Sequence, residues 1–212
     1  AEKARTILQG FKTFAPEVSR MGYNTVTFDD LPHLVPRDCY GEQLNRKIES
    51  YRALYRELFA EAGRNGLSVF ITSDFMFFNS FIEQQTGGKL NHMIEFFRES
   101  VSKLLADFPC IAGIVLRIGE ADGIDVQGDF TSRLTVRTPA DCRKLIRDIL
   151  PVFEENEKVL IFRTWTLGAF KIGDLTWNPD TFNRVFSNLM SEHLIISHKL
   201  GETDFFRYLN LN

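Results

Sequence analysis

Several short apolar runs in this chain end in groups that could do chemistry together. The run GIVLRIGE at 113–120 ends in Arg117 and Glu120. A glutamate just past a strand end can act as a general acid when partial burial raises its pKa, and it can equally be a solvated loop residue paired with Arg117. The run LIFRTW at 160–165 supplies Arg163, whose guanidinium fork suits a carboxylate, and Trp165, whose flat ring suits stacking against C–H bonds. Arg163 could instead neutralise Glu120 or Asp74. Asp29, Asp30 and Asp74 close two further runs. They could accept hydrogen bonds from hydroxyls or hold a water, although aspartate caps helices and turns just as readily. Ser197, His198 and Lys199 close the last run. There His198 would add a ligand contact and Lys199 would meet an anionic group. Asp204 follows, either as a second catalytic carboxylate or as the cap of a terminal turn at 205–209.

These groups need elements that bring them to one place. Ala4, Ile7, Leu8, Phe11, Phe14, Val18 and Met21 recur at helical spacing, despite Gly10 and Pro16. Residues 24–29 (NTVTFD) then alternate like a strand, and a loop rich in Pro and His runs from 31 to 41. Ile48, Tyr51, Leu54, Tyr55, Leu58 and Phe59 form the stripe of a second helix, stopped by Asn65 and Gly66. A strand is expected at 67–74, a long aromatic loop at 75–89, and a third helix from Leu90 to the stop at Pro109. After the strand at 111–118 come a polar loop to Arg137 and a helix entered through Thr138 and Pro139. A strand at 159–164, a helix opened by Asn178 and Pro179, and a strand at 194–197 complete the pattern.

Strict alternation of strand and helix demands a parallel sheet with right-handed crossovers. Strand parity decides between an open sheet and a barrel. Val26, Phe28, Val69, Ile71, Ile114, Leu116, Ile118, Leu160, Phe162, Leu194 and Ile196 share one parity and are apolar. The other parity turns polar towards the strand ends, through Thr25, Thr27, Asp29, Thr72, Asp74, Arg117, Arg163, Trp165, Ser197 and Lys199. A doubly wound sheet carries helices on both faces and should be apolar on both. A barrel has helices on one face, and its inner face can become polar at the C-terminal mouth. The expectation is therefore an α/β chain of (β/α) TIM-barrel type. It is incomplete, with five visible strands corresponding to strands two to six of eight. Residues 1–212 form one partial barrel domain, which implies the remainder of a longer polypeptide.

Bulk properties exclude other classes. With 212 residues and a net charge of −3, the chain can bury a large core and gives no reason to expect nucleic acid or an anionic membrane as partner. No apolar stretch approaches the ~20 residues of a membrane span. Cys39, Cys110 and Cys142 form neither a disulfide framework nor a zinc motif and read as three buried small hydrophobes. That points to a reducing compartment, and a trimmed leader leaves cytoplasm and periplasm both open. The loop EADGIDVQGD at 120–129 lacks the ordered ligand spacing of a calcium loop, so no metal and no cofactor are expected. Phosphate loops, nucleophile elbows and metalloprotease helices are missing too.

From residue 113 to the end, the chain resembles the barrel of α-glucuronidase-type glycoside hydrolases and related sugar hydrolases. The matching segments are RIGE at 117–120, LIFRTW at 160–165, WNPD at 177–180 and IISHK at 195–199, followed by Gly201 and DFF at 204–206. The resemblance implies a glycoside hydrolase acting on a glycan, with uronic acids among the candidates and carbohydrate as the partner. It places the acid carboxylate after the fourth strand, at Glu120, and the second carboxylate on the sixth or seventh, where Asp204 is the candidate. Arg117, Arg163 and Lys199 would then place the sugar and Trp165 would stack on it. Two alternatives remain: a non-catalytic carbohydrate-binding or scaffold domain, and a lyase or aldolase using Lys199 as Schiff-base nucleophile.

Overall fold

A computed structural model describes residues 2–118, 128–164, 172, 175 and 178–198. The first helix, α1 (Glu2–Arg20), leads into β1 (Thr25–Asp29). Two 3₁₀ turns, Leu31–Leu34 and Asp38–Tyr40, occupy the expected Pro- and His-rich loop and carry the chain into α2 (Gly41–Arg64). Gly66 ends that helix in the left-handed region at φ 70°, which a side chain resists. Next come β2 (Ser68–Asp74), β3 (Phe77–Phe78), α3 (Ser80–Thr86), α4 (Leu90–Asp107) and β4 (Ile111–Arg117). The chain continues through β5 (Thr131–Ser132), α5 (Pro139–Glu155), β6 (Val159–Thr164), α6 (Pro179–Phe186) and β7 (Leu194–His198).

Five strands form one parallel sheet in the order β1-β2-β4-β6-β7. Each strand lies beside the next of this set in the chain, without the reversal of direction that defines a doubly wound sheet. The burial pattern agrees with the expected parity. Val69, Ile71, Ile114, Leu116, Leu160 and Phe162 are fully or nearly fully buried, whereas Thr25, Thr27 and Asp29 are exposed and Thr72, Arg117 and Arg163 half-buried. The apolar parity packs into one core with helix residues such as Ile48, Phe97, Leu104, Leu145, Ile149 and Phe153. This is the fold of an incomplete (β/α)-barrel wall.

The other face carries Phe70, Val115 and Ile161 before its polar strand ends. Phe70 stands beside Gly113 across the β2–β4 register. A Cβ at position 113 would lie 2.0 Å from the Val159 carbonyl oxygen and 2.6 Å from the Phe70 ring, so only glycine lets the three strands close up.

Helix starts follow the sequence signals. Thr138 accepts from the Asp141 amide while the Asp141 carboxylate accepts from the Thr138 amide, a complete capping box for α5. Asn178 accepts from the amides of Asp180 and Thr181 at the start of α6.

Three expectations are corrected. The aromatic loop at 75–89 contains β3 and α3, the latter capped by Asn79 accepting from Ile82 N. The polar loop before Arg137 contains β5, which pairs antiparallel with β3. Of the three cysteines, all free thiols, only Cys142 is buried; Cys39 is half-buried and Cys110 exposed, because it sits in the turn between α4 and β4. Among the described residues no helix is long and apolar enough to cross a membrane.

Candidate functional site at the C-terminal ends of the strands

The polar parity places Asp29, Asp74, Arg117 and Arg163 on the face that the helices do not cover, at the C-terminal ends of four adjacent strands. Asp74 and Arg117 are register partners. Arg117 Nη2 donates to Asp74 Oδ2 at 3.0 Å, and Arg117 Nε lies 3.0 Å from Oδ1. The guanidinium thus meets both carboxylate oxygens, with the two side chains only 23% and 14% exposed. The contact is one hydrogen bond plus one close approach of opposite charges, and it sets the Arg117 charge against that of Asp74. Arg117 is therefore committed within the chain, and its fork holds a carboxylate of the protein itself. Arg163 stands one strand further on the same face, half-buried.

Asp30 and His198 sit differently. His198 falls on the parity opposite to the polar face, and Asp30 lies past the end of β1, where it precedes the turn Leu31–Leu34. Asp30 Oδ1 accepts from His33 Nδ1 at 2.6 Å. His198 Nδ1 lies 3.2 Å from the Thr164 hydroxyl, and its ring stacks on Phe182 of α6 at 5.4 Å. Its exposed imidazole therefore lies on the helix side, against Thr164 of β6 and Phe182 of α6. Glu120, Trp165, Lys199 and Asp204 lie outside the described residues.

A second polar cluster beside the end of β1 was not anticipated. His33 Nε2 faces Asp129 Oδ2 at 3.6 Å, and Lys47 of α2 donates to the same oxygen. The imidazole is wedged edge-on between Tyr51 and Phe130, with ring centroids at 5.2 and 5.0 Å. Tyr55 donates its hydroxyl to the Asp29 carbonyl. Burial, together with the nearby charges of Asp30 and Asp29, pushes the Tyr55 phenol up to about 12. The signal for this cluster was present in part. Asp30 and His33 stand three apart in a turn sequence, and Asp129 closes the acidic stretch 120–129, which lacks calcium-loop spacing. Among the described residues no group of three or more His, Cys, Asp and Glu side chains could hold a metal ion.

The fold and this strand-end arrangement define a (β/α)-barrel wall with a charged C-terminal mouth. No protein-family model matches the chain, and no curated protein does. Solved structures similar to it include glycoside hydrolases. A family 138 enzyme targeting the pectin rhamnogalacturonan II shares 16% identity over 82% of this chain and 19% of its own, at a TM-score of 0.47. A family 5 (subfamily 18) enzyme from Streptomyces cattleya, in complex with Manβ1-4GlcNAc, shares 18% identity over 82% of this chain and 42% of its own, at 0.48. The same enzyme in complex with GlcNAc gives 18% identity and 0.47. The chain thus spans less than half the length of each of these proteins.

Proposed function

We propose that this chain is part of the catalytic barrel of a glycoside hydrolase. The observation that carries the reading is the gathering of Asp29, Asp74, Arg117 and Arg163 on the uncovered face at the C-terminal strand ends. Buried parallel strands spend polar side chains there when a ligand is to be held. Glu120 follows Arg117 by three residues and serves as general acid, protonating the leaving oxygen. Asp204 is the candidate for the second carboxylate. Whether it acts as nucleophile or as base depends on its separation from Glu120, about 5 Å for retention and about 6.5–9.5 Å for inversion. Trp165 stacks on the sugar, and Asp29 accepts from its hydroxyls.

The α-glucuronidase-type resemblance at 117–120, 160–165 and 195–199 supports a glycan containing uronic acid. Arg163 and Lys199 are then the groups that meet the sugar carboxylate. Arg117 becomes a positioning residue, since its fork already holds Asp74.

That same closed pair favours a second reading, a non-catalytic carbohydrate-binding domain. A close ion pair between neighbouring strands is also how a scaffold holds a polar face together. Hydrolysis of a panel of aryl glycosides and aryl uronides by the full polypeptide separates the two. Loss of activity by about 10²-fold or more in Glu120→Gln is expected for a general acid. Equal, negligible activity in both proteins, with glycan binding retained, would leave only the binding domain. Within the first reading, Arg163→Ala should raise KM for uronides more than for neutral glycosides.

A further inference from the structure

His33 joins two segments that are 96 positions apart. On its own side, the turn Leu31–Leu34 is anchored from below. Arg52, almost fully buried, donates to the Leu34 carbonyl at 2.6 Å and pairs with Asp107 of α4 at 3.0 Å. Slightly further on, Arg37 donates to the Phe96 carbonyl and to the Ser100 hydroxyl, and pairs with Glu99 at 2.8 Å. On the other side lies Asp129, at the start of a limb that runs through Phe130, buried against Tyr40 and Phe77, into β5. Its carboxylate is held by Lys47, whose side chain is half exposed, and is faced by His33 Nε2.

The hydrogen-bond chemistry makes this junction conditional. The 2.6 Å contact to Asp30 fixes Nδ1 as the protonated nitrogen of neutral His33. In that state Nε2 carries a lone pair and points it at the Asp129 carboxylate, 3.6 Å away. A second proton on the ring turns that repulsive contact into an ion pair. The titratable and charged groups facing the ring are Asp30 from its own turn, Asp129 from the returning limb, and Lys47 and Tyr51 from α2; Phe130 supplies an apolar edge.

We infer that Asp30, His33 and Asp129 form a proton-operated latch, which fastens the limb beginning at Asp129 to the anchored turn at the mouth of the barrel wall when His33 carries its second proton. The latch does not depend on the mouth being a glycosidase.

The sign of the effect follows from the charges. Burial lowers the basicity of His33, but the hydrogen bond and charge of Asp30 and the charge of Asp129 outweigh it, so its pKa is raised above 6.5. The hydrogen bond from Lys47, opposed by desolvation and aided by the Lys47 and His33 charges, keeps Asp129 below 3.8. The His33 contribution is complete below pH 6.5 and is lost as pH rises through the raised value. The Asp129 contribution is complete above pH 3.8 and is lost as pH falls through the lowered value. The latch is therefore fastened in mildly acidic solution and opens towards alkaline pH.

Amide hydrogen exchange of the whole protein, corrected for intrinsic rates, reads this directly. Protection of the amides at 129–132 should be up to about tenfold higher at about pH 5.5 than at about pH 8, while the α4 amides change little. His33→Gln should abolish the ratio. Equal protection at the two pH values in the wild type, or a wild-type ratio retained in His33→Gln, would overturn the latch. Should His33→Gln fail to fold, Asp129→Asn takes its place: loss of the ratio supports the latch, and a wild-type ratio overturns it.

Discussion

The two faces of the central strands are built from the same backbone and held by different forces. On the helix side, Ile71, Ile114, Leu116, Leu160 and Phe162 have no exposure at all. Their contribution is removal of hydrocarbon from water, worth about 1.5–3 kcal/mol for each large side chain. On the other side, the same strands carry Thr72, Asp74, Arg117 and Arg163 in partial contact with solvent. The order there comes from directed contacts such as the Asp74–Arg117 pair. The helix side therefore sets stability and tolerates changes of shape poorly. The polar side adds little net stability, and its arrangement is what a ligand would read.

The largest test of that contrast is Phe162→Ala against Ile161→Ala, adjacent residues on opposite faces. Phe162 is fully buried and packs its ring against Phe186 of α6 at 5.6 Å, whereas Ile161 is half-buried on the uncovered face. Truncation of Phe162 should cost about 3–5 kcal/mol of unfolding free energy. For Ile161 the cost should be clearly smaller, since solvent already reaches the site. Urea denaturation of both variants measures the difference. Equal losses would mean that the uncovered face is packed as tightly as the other.

A change of intermediate size probes the polar face itself. Asp74→Asn leaves the Arg117 guanidinium, 23% exposed, facing a neutral amide; a loss of about 1–3 kcal/mol is expected. Replacing both partners, as in Asp74→Asn with Arg117→Met, should cost less than the sum of the two single changes. Additive losses in the double-mutant cycle would show that the pair is two independent residues that merely lie close.

Much of this contrast was legible in the sequence, because a strand alternates with period two and the pattern survives in a single chain. The helix-side residues from Val26 to Ile196 were identified by parity alone, as were the ends Asp29, Asp74, Arg117 and Arg163. The partner of Arg117 was not identified. Glu120 is nearer in the chain, and only the sequential strand order with its Asp74–Arg117 register puts that carboxylate within reach. β3 and β5 are two residues each, too short for any periodicity, and each exists because the other is there to pair with. The His33 cluster escaped for a related reason. Its members come from a turn, a helix and a returning limb, and nothing local links residue 33 to residue 129.

The smallest effect separates the helix side from the helices that cover it. Thr138→Ala removes the hydroxyl that accepts from the Asp141 amide and opens the capping box of α5, without touching a core side chain. It should cost about 1 kcal/mol, the usual worth of such a cap. The helix it starts presents Leu145, Ile149 and Phe153, all fully buried, to the core that also contains Leu160 and Phe162. If helix and sheet unfold as one unit, the loss appears in global stability with an unchanged denaturant slope. If α5 frays alone, hydrogen exchange quickens in its first turn while the amides of β6 keep their protection. The first outcome makes the helix side a single cooperative layer, in which a cap at one end of α5 is felt at every strand. The second confines that cooperativity to the strands and assigns the helix start its own local equilibrium.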